Sequence, residues 1–221
     1  LTFVFLSDRF TKKKVLQVKS WQNSDSSPAN IIDITTSIHV TRLNPIFCFD
    51  ATDTPPSEAY TEMQIEPYDP RQLDAVIRLS LLAWTPVFDS IQNAMDFDVY
   101  RAFYPDDWRV SQQKAVEEVC ADEDTKVWVA IDSGSTVGFV AVKLHSESSM
   151  GEIYMIAVDP NYQRRGIGTA LTQFALDWMK VAGMSVAMVE TGGDPGHAPA
   201  RRTYEKLGFG LLPIARYFKK L

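Results

Sequence analysis

The chain has 221 residues, 45% of them hydrophobic and 23% charged, with a formal net charge of −6. These proportions are those of a soluble globular protein; the acidic balance argues against a general nucleic-acid binder, whose surface is basic, and no apolar run approaches the ~18 residues that signal a membrane span. Cys48 and Cys120 are the only cysteines, and His39, His145 and His197 are scattered, so neither a disulfide framework nor a metal-binding cluster is expected.

In chain order, residues 1–62 show little organisation. Leu1 to Leu6 and Ile31 to Val40 have strand-like composition, while Ser20 to Asn30 and Ala51 to Ser57 read as loop or linker. The apolar start is too short for a signal-peptide core, and its lysines follow rather than precede it. A cytoplasmic location is the expectation. A well-patterned sequence begins at Met63, so a domain over residues 63–221 is expected, with residues 1–62 as an extension outside it.

Met63 to Pro67 is expected to form a short strand, and Asp69-Pro70 an N-cap followed by proline at the first helical position. Leu73, Val76, Ile77, Leu81 and Leu82 then recur at helical spacing, with an end expected near Trp84 and Pro86. A second helix is predicted over Ser111 to Cys120. Lys126 to Ile131 and Val137 to Leu144 are rich in strand formers, joined by a hairpin turn at Asp132-Ser133-Gly134-Ser135. Glu152 to Val158 is a further strand. Leu171, Phe174, Ala175, Trp178, Met179 and Ala182 make one apolar face of a long helix that Gly183 closes. Ser185 to Val189 reads as a strand, Pro199 to Leu207 as a helix, and Phe209 to Phe218 as a closing strand pair. The order predicts a mixed α/β fold with an antiparallel hairpin early and a βαβ unit late.

Gly166 and Gly168 stand between a strand and the first turn of the long helix. A helix N-terminus offers unpaired N–H groups and the positive end of the helix dipole, and glycine lets the backbone approach an anion. Arg164 and Arg165 add charge and Thr169 a hydroxyl. The loop is not a Walker loop, because no lysine precedes Thr169. Nor is it a dinucleotide fingerprint, because Leu171 stands where the third glycine belongs.

The stretch Val158-Asp-Pro-Asn-Tyr-Gln163-Arg-Arg-Gly-Ile-Gly-Thr-Ala170 resembles the central motif of the GNAT superfamily of acetyl-CoA-dependent N-acyltransferases. Ala200-Arg-Arg-Thr-Tyr204-Glu-Lys-Leu-Gly208-Phe209 resembles a second motif of the same family at the right distance. The resemblance covers about Met63 to Leu221. It departs at His197, where many members have asparagine. It implies a mixed, mostly antiparallel, twisted central sheet flanked by helices and splayed at the strand Glu152 to Val158. It implies acetyl-CoA as cofactor, its pyrophosphate over Gln163, Arg164, Arg165, Gly166, Ile167, Gly168 and Thr169, and its pantetheine arm along Ile156, Ala157 and Val158. Tyr204 aligns with the tyrosine near the coenzyme sulfur, as general acid and cofactor contact. Family members are often dimers, so a homodimer is an open expectation with no interface legible.

Amine acetylation needs a neutral amine, a polarised thioester and a proton for the departing thiolate. Glu152, six residues before Val158, is the candidate base, acting directly or through water. Glu190 is an alternative, and His197 a candidate relay or a plain capping residue. From Asp89 to Asp124 ten acidic residues face only Arg101, Arg109 and Lys114, a local net charge of −7. Asp96, Asp98, Tyr100, Tyr104 and Glu190 are therefore candidates for holding a small cationic amine, by ion pairing and aromatic contact. An aminoglycoside is the leading acceptor. A polyamine, a protein N-terminus or a lysine is the alternative, and so is a coenzyme-A-binding regulatory module without turnover. Metal, nucleic-acid and membrane partners are not expected.

Overall fold

A computed structural model describes residues 63–221. The strand-like and linker segments expected within 1–62, with Cys48 and His39, lie outside the described residues. A five-stranded sheet runs in the order β1 (Gln64–Pro67), β2 (Lys126–Asp132), β3 (Ser135–His145), β4 (Met150–Val158) and β5 (Val186–Val189). The first four strands pair antiparallel and β4 pairs parallel with β5. Helices α1 (Leu73–Ala94), α2 (Phe97–Phe103) and α3 (Trp108–Ala121) precede β2, α4 (Ile167–Val181) crosses from β4 to β5, and α5 (Ala198–Lys206) follows β5.

The start of α1 follows its sequence signal. Asp69 accepts from the amide of Arg71, and the Gln72 side chain accepts from the amide of Asp69, closing a capping box on the 3-10 turn Pro70–Gln72. The helix does not stop at Pro86, as expected, but continues to Ala94. Pro86 has no amide to offer the Leu82 carbonyl, yet Leu82 is on the exposed side, and the Thr85 hydroxyl bonds back to Leu81 O at 2.8 Å. Beyond the proline, Val87, Phe88 and Ile91 continue the buried face of Val76, Leu79, Ala83 and Trp84. Burial of that face outweighs the lost hydrogen bond.

Helix α2 was not expected, and α3 begins three residues earlier than predicted. Both starts are capped by aspartate: Asp96 accepts from the amides of Asp98 and Val99, and Asp107 from that of Arg109. Part of the acidic run is therefore a record of helix starts. The Ser133-Gly134 turn between β2 and β3 has positive φ at both residues, as a two-residue hairpin requires.

Two apolar layers sandwich the sheet. On one face α1 to α3 bury Val76, Leu79, Trp84, Phe88 and Val116 against Phe139, Tyr154 and Ala157. On the other, α4 buries Ile167, Leu171, Ala175 and Met179 against Val140, Ile153 and Ile156. Between β3 and β4 the register shifts: Ala141 faces Met155 and Val142 faces Ile153, leaving Tyr154 without an opposite residue. This bulge turns Tyr154 and Met155 toward the same layer.

The expected strand pair at 209–218 is not formed. Residues 209–221 have no regular structure, and from Gly210 onward every residue is exposed. Leu211, Leu212, Pro213 and Ile214 do not alternate in polarity, and Pro213 has no amide for a ladder. The segment is held by polar and aromatic contacts instead: Arg216 to Glu190 at 2.9 Å, Lys220 to Asp98 at 3.8 Å, and Phe218 edge-on to Phe103.

Candidate acetyl-transfer site

The cleft originates in the β4–β5 pair. The strands are in register from Met150–Val186 to Ile153–Val189, and then β4 continues alone through Tyr154 to Val158. Past that point β5 no longer takes part in the ladder of β4. The amide of Asp159 donates to Val137 O at 2.9 Å, so by strand alternation the main chain of Ala157 also turns to β3. The main chains of Ile156 and Val158 then turn to the gap. There the Val158 carbonyl already accepts from the Gln163 side chain at 3.1 Å, which ties the end of β4 to the loop after it.

That loop is shaped by φ. Arg164 at +61° and Gly166 at +86° both take the left-handed conformation, and Gly166 is the N-cap of α4 without any side-chain cap. The amides of Ile167, Gly168 and Thr169 are first-turn amides and have no intrahelical acceptor. The first bond of the helix runs from Ala170 N to Gly166 O, at 2.9 Å. A Cβ built on Gly166 would meet nothing within 4 Å, so the space over the turn is open. Arg165 reaches the Asn161 carbonyl and lies over the Tyr162 ring, which leaves the exposed Arg164 as the other cation at this turn. Open space, unpaired amides and a cation fit a pyrophosphate.

Tyr204 is buried on α5, edge-on to Phe209, which packs on the α4 side of the sheet. Gly208, at φ +86°, closes α5 and lets the Phe209 amide reach the Tyr204 carbonyl at 3.0 Å, which brings the two rings together. Burial pushes the Tyr204 phenol well above its ordinary value, so it keeps its proton at neutral pH. Glu152 is on the opposite side. Along β4, Gly151 and Ile153 turn to α4, so Glu152 shares the α1 side with Tyr154. Glu152 is mostly covered and its carboxylate meets His145 Nε2 at 2.8 Å. Sequence reasoning did not single out His145 in that position; a four-residue connection between His145 and Met150 was the available signal.

The acidic wall is more committed than its sequence suggests. Asp96 caps α2, Asp98 faces Lys220, and Glu190 faces Arg216. Tyr100 and Tyr104 are buried in an aromatic cluster with Phe88, which stacks on Trp108 at 4.0 Å. Burial raises both phenols, that of Tyr104 to about 12.

His197 and Asp194 form a buried pair in the loop between β5 and α5. Around them Gly196 donates to Ser90 Oγ at 2.9 Å and to Asp194 at 3.0 Å, and Arg201 donates to the carbonyls of Gly192 and Asp194. The network ties the loop before Tyr204 to α1. Burial holds the His197 imidazole below its ordinary value, although Asp194 pulls the other way. Burial also works against the Asp194 carboxylate, but hydrogen bonds from Ser90, His197 and Gly196 prevail and hold it low. Both groups are depressed by folding, so the stability they contribute is complete above the ordinary imidazole value and is lost as pH falls, first through His197 and then through Asp194. Thermal unfolding followed from pH 7.5 to 4.5 should show a falling midpoint. His197→Ala should remove about 2 kcal/mol at neutral pH, by taking one donor from the buried Asp194 carboxylate, and flatten the upper part of that decline. An unchanged slope would detach His197 from it.

Among the described residues no group of three or more His, Cys, Asp or Glu is arranged to hold a metal ion, and no helix is long and apolar enough to cross a membrane.

A family model described as the acetyltransferase (GNAT) family matches residues 96–209. The mycothiol acetyltransferase of Actinosynnema mirum is 33% identical over 141 residues, covering 63% of this chain and 41% of that protein. The chain thus spans less than half the length of this curated relative. Among solved structures, an aminoglycoside N-acetyltransferase in complex with CoA aligns at a TM-score of 0.51 and 16% identity, over 72% of this chain and 95% of its own. The ribosomal-protein-S18-alanine N-acetyltransferase of Escherichia coli aligns at 0.51 and 20%, over 69% and 80%. At these identities the structural likeness speaks for the fold.

Proposed function

Because the chain belongs to the GNAT acetyltransferase family, which uses acetyl-CoA, we propose that it moves an acetyl group from acetyl-CoA to a primary amine of a small cationic acceptor at the gap between β4 and β5. The observation that carries this reading is the end of the β4–β5 pairing at Ile153–Val189. Glu152 shares the α1 side of the sheet with Tyr154, Tyr204 packs on Phe209 of the α4 layer, and β4 runs on past the end of β5.

Acetyl-CoA supplies an activated thioester. The first-turn amides of α4 and Arg164 hold the pyrophosphate end, and the main chains of Ile156 and Val158 orient the arm that enters the gap. Glu152 takes a proton from the acceptor ammonium, directly or through one water, which leaves a neutral nucleophile. Tyr204 gives its proton to the departing sulfur. The domain that does this is residues 63–221.

An aminoglycoside is the acceptor favoured by the exposed carboxylates Asp89, Asp96, Asp98 and Asp106 along the α1–α3 side. Two of the carboxylates proposed for it, Asp98 and Glu190, must exchange Lys220 and Arg216 for the substrate. Exposed ion pairs of this kind are worth about 0–1 kcal/mol, so the exchange is cheap. A second reading, a mycothiol-type acceptor, is favoured by the sequence relative. Thiol release from acetyl-CoA should be measured with aminoglycosides, polyamines, a peptide panel and deacetylated mycothiol side by side. Turnover with an aminoglycoside and not with the others supports the first reading; turnover confined to deacetylated mycothiol replaces it with the second. Tight CoA binding without turnover on any amine would make the chain a binding module and sink the enzymatic reading.

A further inference from the structure

We infer that His145 is a positioning residue for the proposed base: its imidazole holds the Glu152 carboxylate by one oxygen and leaves the other for the acceptor amine. The inference rests on the proposed role of Glu152. The contact is made across the β3–β4 hairpin, from the last residue of β3 to the third residue of β4. His145 Nε2 stands 2.8 Å from Glu152 Oε2 and the imidazole is less than half exposed, while Glu152 is 13% exposed.

A carboxylate covered to this extent needs a donor to remain in one orientation. The neighbours do not supply one. Lys143 is directly opposite Glu152 in the ladder, but its ammonium sits 3.8 Å from the Tyr154 ring centroid and 3.7 Å from Asp122. On the β5 side the opposite residue is Met188, which has no donor in its side chain. Glu190, the next residue on that side of β5, is itself an acceptor and is paired with Arg216. His145 is thus the donor that the hairpin brings to Glu152. It uses the Nε2 hydrogen, and its exposed edge keeps the ring in contact with water.

The ladder geometry explains why this role falls to position 145. Lys143, His145, Glu152 and Tyr154 share the α1 side of the sheet, beyond the part covered by Phe139 and Ala141. Past the bulge the register is regular, with Lys143 opposite Glu152 and His145 opposite Met150, so Glu152 reaches diagonally to His145.

The test compares His145→Leu, His145→Gln and Glu152→Gln in the full chain, with the amine that turns over best. His145→Leu should lower kcat by about tenfold, the scale of outer-shell support for a reacting group, and leave KM for acetyl-CoA within about twofold. His145→Gln keeps an N–H donor and should recover most of the loss. Adding His145→Leu to Glu152→Gln should cost nothing more, because the group it positions is gone. Unchanged kcat in His145→Leu overturns the inference. So does equal loss in the leucine and glutamine variants, which marks a packing role. Full activity in Glu152→Gln removes the base itself, and separates failure of the parent reading from failure of the positioning role.

Discussion

Tyr204→Phe is expected to lower kcat for acetyl transfer by about a hundredfold or more, the lower end of what a positioned general acid contributes, while KM for acetyl-CoA stays within about twofold. The substitution removes one oxygen and keeps the ring that packs edge-on to Phe209. The fold around α5 is held by the Schellman closure at Gly208 and by the Asp194–His197 network. What is lost is a proton that burial keeps on the oxygen at neutral pH. The loss should therefore fall on kcat, through an interaction made in the transition state rather than in binding. Steady-state thiol release with a saturating amine measures it. Equal kcat for both enzymes would take Tyr204 out of the mechanism and leave it a packed ring.

Gly166→Val is expected to reduce affinity for CoA by at least about a hundredfold, about 2.7 kcal/mol, with the far-ultraviolet circular dichroism of the chain unchanged. Two effects act together. At φ +86° a β-branched residue is strained by about 1–2 kcal/mol, and the loop relaxes by moving its amides. The new side chain also projects into the open space over the first turn of α4, where it meets no protein atom but would meet the ligand. Gly134→Val is the control. Gly134 also has positive φ and open space around it, but it lies in the β2–β3 turn. It should lower the melting temperature and leave CoA affinity as it was. Calorimetric titration of both variants with CoA separates the effects, and normal affinity in Gly166→Val would overturn the assignment of the loop.

The loop before α4 was legible because its requirements are local. A helix start, a left-handed N-cap and cations within one turn are specified by neighbours in sequence, and Gly166 must be glycine wherever the rest of the chain goes. The face of α4 was legible for the same reason, since the period of Leu171, Ala175 and Met179 is a property of one helix. The helix starts at Asp69, Asp96 and Asp107 were also written locally, though two of these residues read first as parts of an acidic surface. A carboxylate that caps a helix and one that waits for a substrate look alike until the following amides are placed.

What depended on pairing over distance was not legible. Pro86 marks a helix end by local rules, and only the burial of Val87, Phe88 and Ile91 keeps α1 going. The 209–218 segment contains enough apolar residues for strands, but a strand exists only with a partner.

Sequence alone determined the turn that starts α4, the faces of the long helices and the identity of the two motifs, because each depends on a few consecutive residues and their intrinsic geometry. Tertiary structure decided what surrounds each candidate group. It placed His145 beside Glu152 and Tyr204 against Phe209, and it covered Asp98 and Glu190 with Lys220 and Arg216. The reason is physical. Strand parity, a single bulge and the point where parallel strands part are properties of the ladder, and no residue carries the ladder by itself.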